Sequence, residues 1–253
     1  GALVLARGNA FDVLDVSDRT APFYDEATQH LVIWPPPEDP SEAPAETRVV
    51  LGGGRAYLFT LENPARYAVI DITNLRSPSL LATGTLPVAS ALDGVVIGRE
   101  LWLLTNDFQG IPFETAITQN EIRVFDLSDP TVPVLVKESE TPGASTQTHI
   151  WRIEDVLFFG YYDDETGGLG SFHRTQANHS AATRSLFGFS ADELEEVGDS
   201  LLAAFGAPAI TVGTRDLSAA NHGATESVVY PLPSTVSTID VGAERIWTQS
   251  GGR

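Results

Sequence analysis

The sequence predicts an all-β fold, a β-propeller of four-stranded antiparallel blades, from two repeated phrases and a series of short strands. The first phrase occurs three times, as VLDVSDRTAPF, VIDITNLRSPSL and VFDLSDPTVPVL. Its aspartates, Asp15, Asp71 and Asp126, are 56 and 55 residues apart. A repeat with a period near 50 residues is typical of propellers, in which each repeat folds into one blade.

The second phrase predicts a β-hairpin in each repeat. It reads RVVLGGGRAYLFT at residues 48–60 and GVVIGRELWLLT at residues 94–105, with weaker copies at 149–162 and 238–250. Glycine in the middle of the phrase supplies the positive φ that tight hairpin turns require. The flanking apolar residues alternate poorly, which predicts strands that are buried on both faces.

One complete repeat is clearest at residues 92–138. The segments LDGVVIG and ELWLLT form the hairpin, EIRVFDLS the third strand and VPVLVKES the fourth. Short strands separated by turn residues favour an antiparallel meander over a parallel α/β sheet. We therefore expect residues 1–253 to form a single propeller domain of about four to five blades, either complete or part of a larger ring.

The aspartate of the first phrase has a structural role in this interpretation. At the end of the third strand, its carboxylate can accept hydrogen bonds from backbone amides of the following turn. The proline seven residues later then begins the outer strand, where a missing amide hydrogen costs least. A catalytic role is disfavoured, because carboxylates repeated at blade edges are scattered around a ring.

Three segments fall outside the repeat and are interpreted as insertions, at about residues 35–46, 163–184 and 199–235. The first is rich in proline and acidic residues, and the other two contain many glycine, alanine and serine residues. Loops on a rigid scaffold are frequent binding sites. We therefore expect any partner to contact these segments.

Residues 186–198, LFGFSADELEEVG, are interpreted as a degraded fourth copy of the repeat. They align as strands if Gly188 replaces the aspartate. The alternative is an amphipathic helix that opens with a capping box of Ser190 and Glu193. The strand interpretation is favoured because the register of the repeat outweighs a short local pattern.

Composition limits the partners and the environment of the chain. Its 34 acidic and 15 basic residues give a formal charge of −19, which repels phosphate backbones and disfavours nucleic acid. There is no cysteine, and no apolar run approaches the roughly 18 residues that suggest a membrane-spanning helix. The chain begins with Gly1 and contains no methionine, so we expect that a leader, an anchor or an upstream domain precedes it in the primary product.

Both phrases together resemble the LVIVD repeat. Its pattern is an aliphatic strand, Gly-x-x-Ala-Tyr-Val, and then Leu-x-Ile-Ile-Asp-Val-Ser-Asp-Pro-x-x-Pro. The matching residues are Gly54, Ala56, Tyr57, 69–74 and Pro78 in one copy, and Gly98, Leu101, Trp102, 124–130 and Pro133 in the next. The resemblance implies a β-propeller of the kind found on exported or surface proteins of bacteria and archaea. It offers no catalytic residues to carry over.

No catalytic or cofactor-binding residues are predicted. The candidate metal ligands are Asp163, Asp164 and Glu165, which open the second insertion, and the metal would be calcium because calcium prefers carboxylate and carbonyl oxygens. His173 and His179 lie in the same insertion. The spacing of a regular calcium loop is absent, so the alternative is an acidic loop that is merely solvated.

These observations predict a non-catalytic, extracytoplasmic scaffold that binds a protein or glycan partner at the cell surface, in the periplasm or after secretion. The first alternative is a propeller enzyme with a metal-dependent hydrolase or lactonase site in its central funnel, for which His149 is the candidate. The second alternative is a structural subunit of a surface coat. The oligomeric state is left open.

Overall fold

The structure is a computed structural model that describes residues 1–18, 20–35, 46–107, 119–144, 149–162, 167–174, 182–187, 193–197, 200–204, 209–216, 223–231, 238–241 and 246–249. The chain divides into two compact units, Gly1–Pro112 with Ile122–Glu138, and Phe113–Glu121 with Ser139–Arg253. Both units are built from β-sheets, which confirms the predicted all-β class. Within the described ranges, no helix is long and apolar enough to cross a membrane.

The first unit contains three consecutive sheets whose strands follow one another in chain order. The first sheet consists of β1 (Ala2–Arg7), β2 (Ala10–Asp15) and β3 (His30–Val32), with the one-turn helix α1 (Glu26–Gln29) before β3. The second consists of β4 (Thr47–Gly52), β5 (Arg55–Thr60), β6 (Arg66–Asp71) and β7 (Ser79–Thr85). The third consists of β8 (Ser90–Ile97), β9 (Glu100–Asp107), β10 (Gln119–Asp126) and β11 (Val134–Ala144), of which β10 and β11 extend into the second unit.

The described residues of the second unit form two further four-stranded sheets and a hairpin. One sheet consists of β12 (Ile150–Ile153), β13 (Val156–Tyr162), β14 (Gly167–His173) and β15 (Ala182–Phe187). The next consists of β16 (Glu193–Val197), β17 (Ser200–Ala204), β18 (Ala209–Asp216) and β19 (Gly223–Pro231). The hairpin consists of β20 (Thr238–Val241) and β21 (Ile246–Gln249).

The predicted hairpin turns are present and use the left-handed backbone conformation. Gly53 and Gly54 between β4 and β5 have φ of 58° and 73°, and Gly98 between β8 and β9 has φ of 62°. Between β12 and β13 the same conformation is adopted by Glu154, with φ of 51°. The weaker copy of the hairpin phrase at residues 149–162 therefore folds as the stronger copies do, although its turn has no glycine.

The repeated aspartate forms the corner after its strand, as predicted. Each of the three is the last residue of its strand, and its Oδ1 accepts a hydrogen bond from the amide two residues later. The donors are Ser17 to Asp15 (3.0 Å), Thr73 to Asp71 (2.8 Å) and Ser128 to Asp126 (2.9 Å). The hydroxyls of Thr73 and Ser128 also donate to the same oxygens, at 2.6 and 2.9 Å.

A second turn that the sequence analysis did not foresee follows three residues later in each repeat. Asp18, Asn74 and Asp129 accept hydrogen bonds on Oδ1 from the amides of Thr20 (2.9 Å), Arg76 (3.2 Å) and Thr131 (2.9 Å). Their carbonyls accept from the residues three positions on, Ala21, Ser77 and Val132. Each corner is therefore two consecutive side-chain-stabilised turns that end just before the proline.

The second sheet packs between its two neighbours. Leu58 and Ala68 on one face of its central strands pack on Phe11 and Val13 of the first sheet. The opposite face packs on the third sheet in a cluster that contains Tyr57, Phe59, Tyr67, Val69, Leu101, Leu103 and Phe125. Because both faces of β5 and β6 are covered, their side chains are buried at successive positions, which confirms the expectation drawn from the poor alternation.

Two of the three segments interpreted as insertions contain strands of the sheets, so that interpretation was wrong there. β14 lies within residues 163–184, and β17, β18 and β19 lie within residues 199–235. The strand β14, GGLGSFH, has the composition of a loop, but its Gly170 makes room for an aromatic neighbour. A Cβ on Gly170 would overlap the ring of Phe159 on the paired strand. Residues 36–45 of the first segment lie outside the described part of the chain.

The prediction for the fourth copy of the repeat, residues 186–198, is confirmed in one part and wrong in another. Its described residues, 186–187 and 193–197, lie in strands, so the strand interpretation is confirmed there and the helix is not formed. The predicted alignment within one sheet is wrong, because β15 is the last strand of one sheet and β16 the first of the next. The alignment assigned residues 186–187 to the third strand of the sheet, but the third strand is the glycine-rich β14. That residues 1–253 form a single domain stays a prediction.

Replacement of Gly84 with alanine is expected to destabilise the second sheet. A Cβ on Gly84 would lie 2.6 Å from Cε1 of Tyr67 on the paired strand, and the Tyr67 hydroxyl donates a hydrogen bond to the carbonyl of Thr131 (3.2 Å). The ring would have to move and weaken this link to the third sheet, at a cost of about 1–3 kcal/mol. Chemical denaturation measures this; Thr83→Ala, at an exposed position of the same strand, is the control and should unfold like the wild type.

Stability is expected to fall as the pH is lowered from about 4 towards 2. Hydrogen bonds from Ser17 and then from Arg76 lower the pKa of Asp15 from 3.8 to about 2. Hydrogen bonds from the hydroxyl and the backbone amide of a threonine two residues later lower the pKa values of Asp18, Asp71 and Asp129. Because these pKa values are depressed in the folded state, their stabilisation is complete above 3.8 and is lost as the pH falls through the folded values.

The measurement is the denaturation midpoint between pH 5 and pH 2. Asp15→Asn, which removes one of these carboxylates, should show a shallower loss than the wild type. Glu154→Gln, a carboxylate outside the corners, serves as the control. Identical slopes for the wild type and Asp15→Asn would contradict the prediction.

Candidate functional site

A pocket of about 500 Å³ lies on the first sheet and is the candidate functional site. Its lining residues are Leu5, Ala10, Asp12, Leu14, Tyr24, Glu26 and His30. A volume of this size is typical of pockets for small ligands. The pocket combines an aliphatic part with two carboxylates, an imidazole and a phenol.

The strands of the first sheet bring three of these residues into one row. Leu5 on β1 pairs with Asp12 on β2, and Asp12 pairs with His30 on β3. Side chains alternate between the faces of a strand, so the pocket residues of β2 share the face opposite to Phe11 and Val13. That other face packs on the second sheet. The pocket is therefore on the face of the first sheet that points away from this core.

Asp12 is the centre of a hydrogen-bonded group. The hydroxyl of Tyr24 donates to its Oδ1 (2.6 Å), and Nδ1 of His30 lies 2.8 Å from the same oxygen. Only 14% of the Asp12 side chain is exposed, against 34% of the His30 side chain. A carboxylate accepts at Oδ1, so Nδ1 of His30 carries the hydrogen, and in the neutral imidazole Nε2 is then an acceptor.

The helix α1 and its buried glutamine position His30. Asp25 caps the helix, because its Oδ1 accepts from the amide of Ala27 (3.0 Å). Gln29 is fully buried; its Nε2 donates to the carbonyl of Leu75 (2.7 Å), and its Oε1 accepts from the amide of Asp25 (2.6 Å). The residue before His30 is thereby tied to the corner of the second sheet.

This arrangement is suited to binding. The hydroxyl among the lining residues, that of Tyr24, donates to a carboxylate, and Asp12 and Glu26 place negative charge beside aliphatic side chains. The lining thus combines acidic and aliphatic side chains, and the carboxylate of Asp12 already has Tyr24 and His30 as partners.

The predicted metal ligands cannot be assigned to the pocket or to any other site of the described chain. Asp163, Asp164 and Glu165 lie outside the described residues, as does His179, so the calcium site stays a prediction. Among the residues that are described, no three histidine, aspartate or glutamate side chains are grouped to hold a metal ion. His149, the candidate of the enzyme hypothesis, is partly buried, with its ring centroid 6.0 Å from that of Trp151.

Sequence reasoning missed the pocket because its residues come from separate short strands. One signal was present: Asp12 interrupts an apolar strand three residues before the repeated aspartate, where the second copy has Ala68. The contribution of His30 could not be foreseen, since β3 follows a helix that has no counterpart in the predicted repeat.

Comparison with known proteins confirms the repeat. The family model named LVIVD repeat matches residues 115–141, so the chain carries this repeat. Two solved structures are similar in fold. A chain in the "Crystal Structure of Mitotic Checkpoint Complex" has a TM-score of 0.60 and 9% identity over 99% of this chain and 73% of that chain. The computationally designed Ika8 protein has a TM-score of 0.57 and 10% identity over 97% of this chain and 66% of that chain. No curated protein sequence matches the chain.

Replacement of Gln29 with leucine is expected to destabilise the first sheet and to disturb the pocket. The carbonyl of Leu75 and the amide of Asp25 would lose their partner inside the protein, which costs about 1–3 kcal/mol. Denaturation gives the stability, and the NMR signals of the Tyr24 and His30 rings report on the pocket. Glu26→Gln, at an exposed position of the same helix, should keep the stability of the wild type. Unchanged ring signals in Gln29→Leu would show that Gln29 does not position His30.

Proposed function

We propose that this chain is a β-propeller scaffold that binds a protein or glycan partner outside the cytoplasm and catalyses no reaction. The observation that carries the binding role is the pocket on the first sheet. It brings charged, aromatic and aliphatic side chains together on a sheet whose opposite face is committed to the core. A scaffold of packed sheets holds such a group of side chains in place before the ligand arrives, which lowers the entropy cost of binding.

Support for the propeller comes from the way the sheets of the first unit pack. Equivalent residues are used at each interface: Phe11 and Val13 face the second sheet, and Tyr67 and Val69, 56 residues later, face the third. When the same interface repeats between successive units, the units follow one another by a constant rotation. A propeller is built from four-stranded antiparallel sheets that follow one another in this way, so this packing supports the proposal.

Support for a place outside the cytoplasm comes from the LVIVD repeat and from the charge. The repeat resembles those of exported and surface proteins, and residues 115–141 match its model. A formal charge of −19 keeps a protein soluble and favours cationic or neutral partners.

The corners make the scaffold more rigid, because short turns that are stabilised by side chains connect the strands.

Binding is tested with the purified chain on arrays of peptides and of glycans. We expect saturable binding to one class of ligand and no hydrolysis of lactones or esters, with or without added divalent metals. Saturable binding to neither array would contradict the scaffold. Hydrolysis that chelation abolishes would favour the enzyme, and assembly that grows with protein concentration would favour the surface coat.

Location is tested in intact cells that express the full-length gene product. A protease added outside the cells, or to the periplasm after the outer membrane is opened, should degrade the protein. A cytoplasmic enzyme measured in the same samples should stay intact. Protection equal to that of the cytoplasmic control would contradict the extracytoplasmic location.

A further inference from the structure

Building on the proposed binding of a protein partner, we propose that the first sheet accepts an extended strand of that partner along the open edge of β1. The open edge is the side of β1 that does not pair with β2, and it carries the backbone groups of Ala2, Val4 and Ala6. The partner strand would run antiparallel to β1 and complete a four-stranded sheet. The ligand class is therefore an extended peptide with an aliphatic and a small residue at alternate positions.

The first sheet has three strands, whereas the next two sheets have four. A backbone hydrogen bond that all three share shows which strands correspond: the amide after the corner aspartate donates to the carbonyl before the second strand of the repeat. The bonds run from Val16 to Gly1 (3.0 Å), from Ile72 to Gly54 (3.0 Å) and from Leu127 to Arg99 (2.7 Å). β1 is therefore the counterpart of β5 and β9. Among the described strands, none lies beside β1 as β4 lies beside β5.

The backbone groups of the open edge point away from β2. The bond from Val16 to Gly1 pairs residues 1 and 16, and along an antiparallel ladder every second residue bonds to the same neighbour. Residues 3, 5 and 7 therefore bond to β2, and the residues between them present their amides and carbonyls at the open edge. The equivalent residues of β5 pair with β4, as Arg55 with Gly52, Tyr57 with Val50 and Phe59 with Arg48. An exposed edge of this kind is a template for a further strand.

An exposed leucine on the second sheet provides a second contact for the added strand. Leu51 on β4 is 47% exposed, whereas its equivalent on β8, Val96, packs against the core between the second and third sheets. A Cβ on Gly52 of β4 would lie 2.4 Å from Cβ of Val96, so Val96 lies directly on the backbone of β4. Leu51 would lie in the same way on a strand added beside β1, and its apolar surface would then be buried.

The same comparison defines the side chains that the partner strand needs. The residue opposite Ala2 would take the place of Gly52 and lie under Leu51, so it must be small. The residue opposite Val4 would take the place of Val50, which is 4% exposed, so it should be aliphatic. A formal charge of −19 favours a neutral or basic peptide. The expected pattern is an aliphatic residue, any residue and then glycine.

The test uses the hexapeptide Thr-Arg-Val-Val-Leu-Gly, which copies residues 47–52 and has this pattern. It is added to the whole chain, and hydrogen exchange is measured by NMR at the amides of Val4 and Ala6. We expect both amides to exchange freely in the chain alone and to be protected by the peptide, with a Kd on the order of 1 mM. The amide of Leu5, which bonds to β2, is the internal reference and should not change.

Two methylated peptides test the backbone pairing without any change in the protein. N-methylation of the second valine, the counterpart of Val50, removes an amide hydrogen that would face β1, and it should abolish the protection. N-methylation of the leucine, the counterpart of Leu51, removes one that would face away from β1, and it should leave the protection intact. Valine in place of the final glycine should weaken the peptide on the order of tenfold, because its side chain would collide with Leu51 of the protein.

Two protein variants locate the peptide. Leu51→Ala removes apolar surface that the strand would cover and should weaken the peptide about fivefold. Leu81→Ala makes the same change at a leucine of β7 that is 40% exposed, and it should leave the Kd unchanged.

Several results would overturn the inference. Equal protection by the two methylated peptides would show that the peptide does not pair with β1, and an unchanged Kd in Leu51→Ala would show that it does not lie beside β4. Protection of Val4 and Ala6 in the chain alone would assign the open edge to a second copy if it rises with protein concentration, and to a segment of the chain itself if it does not. Protection in the full-length gene product without a partner would assign the edge to the same polypeptide.

The array experiment separates this inference from the proposed function. An array peptide that binds without protecting Val4 and Ala6 would refute the partner strand and leave the scaffold standing. Protection by the hexapeptide, without any ligand on the arrays, would refute the proposed scaffold and leave the open edge as a site for a strand. If both hold, the captured peptides should contain the aliphatic-x-Gly pattern, and excess hexapeptide should displace them.

Discussion

The sheets of the first unit pack on one another through alternate residues of their central strands, and this packing stabilises each of them. Leu58 and Phe59 are neighbours in the chain, yet they contribute to two different clusters on opposite faces of the second sheet. Burial of such a side chain contributes about 1.5–3 kcal/mol. A sheet that exposed both faces would lose this burial free energy at every position of its central strands. A single repeat is therefore not stable without its neighbours.

The corners connect consecutive strands by short turns and so fix the order of the strands in each sheet. Each repeated aspartate accepts backbone hydrogen bonds after its strand, and a second turn follows before the proline. The corner of the second sheet also contacts the first: Nε of Arg76 is 3.2 Å from Oδ2 of Asp15, and its guanidinium lies 4.6 Å from the ring centroid of Phe23. One aspartate thus stabilises its own turn and joins two neighbouring repeats.

The candidate site arises where a repeat departs from its pattern. Asp12 occupies the position of the buried Ala68, and the short helix before His30 adds an imidazole to the same row of the sheet. The repeat itself therefore says little about function, because the residues that its copies share form the turns or pack in the core.

The all-β class, the repeat, the hairpins and the aspartate corners could be predicted from local patterns, because each depends on residues that are close together in the chain. That the glycine-rich β14 is a strand follows from its pairing in the folded chain, where Gly170 leaves room for the ring of Phe159 on the paired strand. The pocket was decided in the same way. Leu5, Asp12 and His30 meet only through the pairing of three strands, and strand pairing is set by long-range packing that local patterns do not encode.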